Sequence, residues 1–441
     1  MQAVESRQAF VFCHECRDFV HDATLDDIRE GPARKRRRLA SPHGTAAATA
    51  AAADEDRKLV NANTSAVPCS VAGLRGFYNM GQTCFMSVVL QALLHNPLIR
   101  TWFLTDGHKS SECERESCVA CALDDIFSDF YSQEKREGYG AVQMLKCCWE
   151  NSTSLAGYSQ QDAHEFLSFI LNNLHTAFVE KDAADKAAAA EEEDDDEGSP
   201  VKKPPPPTTS ASADDNECDC IIHQVFAGLL QSTVTCSACH NTTTALDPFM
   251  DLSLDVRSTA VSVKKKKLPM TGVMTTVKEI APMDLWECLE RFTAAEVLGS
   301  DSYTCRKCDS AQEARKKLGL KRLPPVLPIH LKRFSHSKGN GQSSKVETRI
   351  RFPFTLDLEP YLASGGEGGV VVDAEAATYE LSAVIVHKGK IDNGHYICYC
   401  RQGEYDWFRF DDSMVVVVDE KEVLGAEAYM LVYVAKWVPP P

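Results

Sequence analysis

The sequence predicts an α+β fold with a cleft between two lobes. Helical periodicity is concentrated early, from Cys84 to Leu174; strand-like runs dominate after Val326; and no repeat of fixed period joins the two halves. At 441 residues the chain can form two or three ordinary domains or one large elaborated one. Hydrophobic residues at 44% and charged residues at 25% suffice for a packed core.

Taken in order, residues 1–31 hold a short apolar segment, FVFCHECRDFV. Residues 32–70 read as a flexible basic and alanine-rich linker. Its run Arg34, Lys35, Arg36, Arg37 and Arg38 is a candidate nuclear localisation signal, set against an ordinary exposed charge cluster. Globular sequence begins near Gly73 and continues to about Trp437, giving a main domain over 71–437.

Within it, CFMSVVLQALLHN repeats its apolar residues at helical spacing. DAHEFLSFILNNL, from Asp162 to Leu174, is a second amphipathic helix. Residues 181–217 combine alanines, an acidic run and KKPPPPTTSAS, and are expected to be a disordered insertion. Lys264–Lys267 sits in a polar insert after DLSLDV. The later runs VLPIHLKRF, YELSAVIVHKG, HYICYCRQ, WFRFDD and YMLVYVAKW carry strand composition.

Charge narrows the function. The formal net charge of −16 argues against general nucleic-acid binding and fits a basic protein partner. Much of the excess is the EEEDDDE run at 191–197, which reads as a solvated tract. No stretch of eighteen apolar residues is present, so no membrane helix is expected. The first residues lack the pattern of a signal peptide. Eighteen cysteines without a secretion signal are expected to be metal ligands, catalytic groups or core thiols rather than disulfides.

Chemistry concentrates in RGFYNMGQTCFMSVVLQAL. Cys84 follows the turn formers Asn79, Gly81 and Thr83, where the helix should begin. A helix N-terminus favours a thiolate through its dipole and free N–H groups, and the same groups can bind an oxyanion. Asn79 could add a side-chain N–H. Taken alone, such a cysteine is more often structural. His395, in NGHYICYC, and the pair Asp411 and Asp412, in WFRFDDS, change that balance. A β-hairpin would set His395 beside Asp411, giving nucleophile, general base and tautomer-fixing carboxylate.

These boxes, GFYNMGQTCFMSVVLQALLHNP, QQDAHEF, HLKRF, GHYICYCR and WFRFDDS, strongly resemble those of the ubiquitin-specific protease family, in the family's order, from about Gly73 to Trp437. The resemblance implies a papain-like cysteine protease with thumb, palm and zinc-bearing fingers, hydrolysing the isopeptide bond after ubiquitin's C-terminal Gly. It assigns Asn79 to the oxyanion site and turns Asp162 and Glu165 toward ubiquitin's basic tail, where carboxylates suit arginine. The same two residues also suit a helix N-terminus. Asp412 ranks below Asp411 as the partner of His395. A narrow cleft flanked by Tyr396 and Phe85 is expected to admit only Gly before the scissile bond.

Cysteine spacing adds metal sites. Cys236-x-x-Cys239 and Cys305-x-x-Cys308 form two knuckles that satisfy tetrahedral zinc. His108, Cys113, Cys118 and Cys121 lie in a short polar segment with little to fold around except a metal. Cys218, Cys220 and His223 lack a fourth ligand locally; His175 could supply it across the insertion. Filling each site gives about three structural zinc ions per chain. The last two clusters, with CxCIIHQVFAG and LDPFMDLSLD, resemble the branch of the family that serves the SAGA coactivator complex. That branch implies a nuclear enzyme acting on ubiquitinated histone 2B beside adaptor subunits. Residues 1–31 resemble the end of the branch's ubiquitin-protease-type zinc finger, with Cys13, Cys16, His14 and His21 and most other ligands missing. Cys69, Cys147, Cys148, Cys288, Cys398 and Cys400 are expected in core or strand positions.

Two alternatives stay open from residues alone. One is a non-catalytic ubiquitin-binding scaffold. The other is a zinc-finger nucleic-acid binder, which the acidic charge disfavours; sequence-specific nucleic-acid binding is not expected.

Overall fold

The computed structural model describes residues 73–436 apart from 133–137, 158, 194–217, 258–260, 268–273, 337–342, 364–376, 391–392 and 404–405, with four short strands before residue 62. Those strands are Ala3–Glu5, Phe10–Cys13 and Asp18–His21, which form an antiparallel meander, and Leu59–Asn61. Cys16, His14, the Arg34–Arg38 run and Cys69 lie outside the described residues.

A helical lobe comes first. Helix α1, Cys84–Leu94, is buried along its whole length, as its nearly unbroken apolar sequence requires. Helix α2, Pro97–Leu104, starts where Asn96 Oδ1 accepts the N–H groups of Leu98 and Ile99 at 3.1 and 3.2 Å, with Pro97 in the first turn. Helices α3, Val119–Phe130, and α4, Val142–Asn151, pack around α1 and α5, Ala163–Glu193.

Helix α5 outruns its expected end. Residues 181–193, expected to be disordered, continue the helix to Glu193. The physical reason is composition: KDAADKAAAAEEE consists mostly of strong helix formers, so local propensity favours continuing the helix.

The second lobe is a nine-stranded sheet. Its strands run in the order Leu59–Asn61, Met414–Val418, Asp406–Asp411, Asn393–Gln402, Thr378–Lys390, Ala428–Ala435, Val326–Lys332 and Leu252–Asp255, with Thr355–Asp357 also paired to Thr378–Lys390. All pairings are antiparallel except the edge strand Leu252–Asp255. One face meets α1 and α5 in a core with Phe85, Val89, Phe166 and Ile385; the other buries Leu254, Leu327, Tyr379 and Leu431. Central strands are therefore apolar on both faces. Each strand-like run read from the sequence forms a strand of this sheet.

A four-stranded sheet stands apart, in the order Glu296–Leu298, Ala314–Arg322, Gly228–Cys236 and Thr242–Phe249. Helical lobe, central sheet and outlying sheet are the mixed α+β arrangement expected. The polar insert holding Lys264–Lys267 is a hairpin, Val261–Lys267 against Met274–Ile280.

Candidate functional site

The site forms where the start of α1 meets the sheet. The loop before Cys84 is wound by its own side chains. Asn79 Oδ1 accepts the N–H groups of Gly81 and Thr83 at 3.0 and 3.3 Å, and Thr83 Oγ1 accepts that of Met80 at 2.9 Å. Gly81 and Gln82 hold positive φ, 103° and 58°, which Gly takes without strain. This tight loop delivers Cys84 to the first position of the helix.

The loop docks on the turn after Asp411. Phe77 N–H donates to the Asp412 carbonyl at 3.0 Å, and Asn79 Nδ2 donates to Asp412 Oδ2 at 3.2 Å. A Cβ at Gly76 would strike the Asp412–Ser413 backbone, so Gly is required for that approach.

Strand pairing supplies the other groups. Asn393–Gln402 and Asp406–Asp411 are adjacent antiparallel strands, and His395 Nε2 lies 2.7 Å from Asp411 Oδ1. Asp412 Oδ2 is 4.0 Å from the same nitrogen. With Nε2 taken by Asp411, the other ring nitrogen is left for the Cys84 thiol, which lies close enough to influence the ring's proton. The Asp411 hydrogen bond and the neighbouring Cys84 raise the His395 pKa to about 10, against the opposing pull of burial. His395 in turn holds Asp411 below the usual carboxylate range, while burial lifts Asp412 above it. Cys84 is 1% exposed, so burial alone would class it with the core thiols Cys398 and Cys400, both 0% exposed. Their neighbours differ. Cys398 and Cys400 face each other at 4.0 Å, whereas Cys84 faces an imidazole held by a carboxylate. Such a set can deprotonate a thiol beside free helix N–H groups.

Asp162, Glu165 and Tyr396 fall in different places. Asp162 Oδ1 caps α5 through the N–H groups of His164 and Glu165 at 2.7 and 3.4 Å, and Asp162 Oδ2 accepts the Tyr429 hydroxyl at 2.5 Å. Glu165 is exposed. Tyr396 does not line a cleft: it is 2% exposed and packs on His387 and Tyr429. Phe85 is likewise buried, against Phe166. Strand alternation is the reason for Tyr396, since a neighbour of the outward His395 must point to the opposite face.

Residues not anticipated stitch the lobes together. Gln160 Oε1 accepts the Gly394 N–H at 2.8 Å, tying the loop before α5 to the strand that carries His395. A Cβ at Gly394 would meet the His387 ring. Gln160 stands in the QQDAHEF box, but nothing in its spacing reveals a partner on a distant strand.

The three cysteine clusters assemble with the memberships expected. His108, Cys113, Cys118 and Cys121 converge, as do His175, Cys218, Cys220 and His223, and Cys236, Cys239, Cys305 and Cys308; within each set the ligand atoms lie within 4.8 Å of one another. In the fingers, Cys236 and Cys308 are 3.9 Å apart and Cys239 and Cys305 3.6 Å. Two thiolates bound tetrahedrally at ~2.3 Å from zinc would be about 3.8 Å apart. His108 Nε2 lies 3.1 Å from Cys121 Sγ, and His175 Nδ1 lies 3.4 and 3.7 Å from Cys220 and Cys218. His240 and Asp309, each directly after a knuckle, take positive φ of 56° and 50°. All three donor sets fit zinc.

Comparison with known proteins agrees with this geometry. Residues 75–433 match the ubiquitin carboxyl-terminal hydrolase family. Ubiquitin carboxyl-terminal hydrolase nonstop of Drosophila melanogaster is 39% identical over 437 residues, spanning 98% of this chain and 82% of its own. Human ubiquitin carboxyl-terminal hydrolase 22 is 34% identical over 446 residues, spanning 98% and 79%. Among solved structures, a chain of the SAGA Ubp8/Sgf11/Sus1/Sgf73 DUB module bound to ubiquitin aldehyde superposes with a TM-score of 0.65 at 31% identity, covering 99% of this chain and 81% of that one. A match along most of the chain, on a fold that brings a thiol, an imidazole and a carboxylate together, makes this protein a member of the ubiquitin carboxyl-terminal hydrolase family of cysteine peptidases, of the ubiquitin-specific type and resembling its SAGA branch.

Proposed function

We propose that this deubiquitinase cleaves the isopeptide bond after the C-terminal Gly of ubiquitin on monoubiquitinated histone 2B, as the catalytic subunit of a SAGA-like module in the nucleus. The observation that carries the catalytic assignment is the His395–Asp411 bond of 2.7 Å beside the Cys84 thiol. Cys84 is the nucleophile. His395 takes its proton, and the thiolate adds to the Gly carbonyl. Asp411 holds the imidazole and stabilises its charged form. The amide of Asn79 has two N–H groups; one serves Asp412 and the other is available to the oxyanion with the N-terminal N–H groups of α1. His395 returns the proton to the departing lysine amine, and water then releases ubiquitin from the thioester with His395 as base.

Glu165, with Asp162, receives the basic tail of ubiquitin. Zinc, held by the three cysteine clusters at about three ions per chain, supplies folding energy to the fingers and the helical lobe. Support for the SAGA assignment comes from the relatives, including the module solved with ubiquitin aldehyde. Adaptor subunits like those of that module are the expected partners.

The test is labelling by a ubiquitin probe with a C-terminal electrophile, with and without adaptor subunits, followed by turnover of nucleosomes bearing ubiquitinated histone 2B. Labelling at Cys84 and loss of the ubiquitin adduct from histone 2B are expected. A chain that binds the probe without covalent reaction in either condition is a scaffold, and one that cleaves free ubiquitin conjugates but spares nucleosomes acts outside SAGA.

A further inference from the structure

The strand that carries His395 runs on past the sheet that supports it. Thr378–Lys390 pairs with Ala428–Ala435 only as far as Val386, and Asn393–Gln402 pairs with Asp406–Asp411 only from Cys398. Beyond those points the two strands pair with each other alone, through His387 with Tyr396, Lys388 with His395, Gly389 with Gly394 and Lys390 with Asn393. The proposed general base thus sits on a two-stranded ribbon, an arrangement of marginal stability in water. Lys388, Gly389 and Lys390 are exposed, so this end of the ribbon adds little to the core.

Two side chains from elsewhere in the chain brace the ribbon, one on each strand. Gln160 Oε1 accepts the Gly394 N–H at 2.8 Å. Lys345 Nζ donates to the carbonyls of His387 and Gly389, at 2.7 and 3.2 Å. Both carbonyls lie past Val386, where pairing with Ala428–Ala435 has ended. A strand end without a neighbour leaves such groups without ladder partners, and one ammonium supplies them with charge-assisted bonds. Lys345 ends the short strand Ser343–Lys345, whose partner Phe334–His336 begins at the last residue of HLKRF. The brace therefore joins that hairpin to the residues flanking Lys388, directly opposite His395, and does not touch His395 itself.

We propose that Lys345 is a positioning residue for the general base: by tying the His387 and Gly389 carbonyls to the neighbouring hairpin, it fixes the ribbon so that His395 stays aligned between Asp411 and Cys84. This rests on the deubiquitinase reading and deepens it. Without the brace the ribbon stays rooted in the core, where Val386 and His387 are buried, but its end moves and the imidazole spends less time in line. A misplacement of about 1 Å costs a catalytic group as much as ~100-fold in rate. Ubiquitin contacts elsewhere on the chain do not depend on the brace, so the loss falls on kcat.

The test is steady-state hydrolysis of a ubiquitin C-terminal fluorogenic amide by the full chain with its adaptor subunits. Lys345→Met keeps the side chain's length and loses the donor. It lowers kcat about tenfold and leaves KM within about twofold, with the melting temperature unchanged. Lys345→Arg, which restores a charged donor, recovers most of the rate. Amide hydrogen exchange in Lys345→Met rises over residues 388–397 and stays at the wild-type rate over Val326–Lys332. An unchanged kcat in Lys345→Met, a Lys345→Arg no faster than Lys345→Met, or faster exchange across the whole sheet overturns the inference. A wild-type chain that neither hydrolyses the amide nor reacts with the electrophilic ubiquitin probe overturns the deubiquitinase reading beneath it instead.

Discussion

The fingers cluster and the cleft use similar side chains to opposite ends. Cys236, Cys239, Cys305 and Cys308 converge with their sulfurs within 4.8 Å of one another, a set that four-coordinate zinc would close. Cys84, His395 and Asp411 are also within reach of one another, but they form a line: thiol, imidazole, carboxylate. His395 Nε2 is already spent on Asp411, which orients the ring and leaves its second nitrogen for sulfur. Closure suits one thiol set to a structural metal, and directionality suits the other to reaction.

Disrupting the line should affect turnover and little else. Cys84→Ala is expected to lower hydrolysis of a ubiquitin C-terminal fluorogenic amide on the order of 10⁴-fold or more, with the melting temperature unchanged. Asp411→Asn keeps the shape but favours the wrong tautomer, costing on the order of 10²–10⁴-fold in kcat; a change smaller than tenfold would move the orienting role to Asp412. Asn79→Ala removes an oxyanion donor and also loosens the loop through Gly81 and Thr83, so kcat should fall about 10²-fold with KM little altered.

Disrupting the tetrahedron should do the reverse. Cys236→Ser is expected to remove about one zinc per chain by metal analysis and to lower the melting temperature, while turnover of the fluorogenic amide stays within about threefold. Unchanged zinc content in this variant would break the comparison at its root.

The smallest effect joins the two lobes. His95 is 3% exposed, its Nδ1 lies 2.9 Å from the Gln91 carbonyl, and its ring packs on Phe410. Burial lowers its pKa to about 4. A depressed histidine pKa means that its contribution to stability is complete above its unfolded value and is lost as pH falls toward the folded one. Between about pH 6.5 and 4 the loss is on the order of 3 kcal/mol. Urea midpoints of the wild type and His95→Gln, compared at fixed zinc, should converge across that window. His395 behaves oppositely: its raised pKa contributes below about pH 6.5, and that contribution is lost as pH rises through about 10.

Local patterns were legible because their partners are close in sequence or fixed by spacing. The helix start at Cys84 follows from turn residues ahead of an apolar run, and the His395–Asp411 pairing from two strands joined by a short turn. The knuckles follow from C-x-x-C. The end of α5 was misjudged because alanine and glutamate serve a helix as readily as a solvated tract. Tyr396 was misplaced because a strand's two faces look alike until one is known to be buried. Asp251, His330 and Tyr429 were missed because ordinary strand residues carry no sign of what they touch.

By itself, the sequence determined the family, singled out Cys84 and His395 as the proposed nucleophile and base, and named the members of the three cysteine clusters, since each depends on residue type and spacing. Only the tertiary structure decided that Asp162 is bound to Tyr429 and a helix start while Glu165 stays exposed, and that His164 and His330 stack beside the start of α5. Those outcomes depend on strand register and the docking of one lobe on the other, where ångström differences in separation set which hydrogen bonds form.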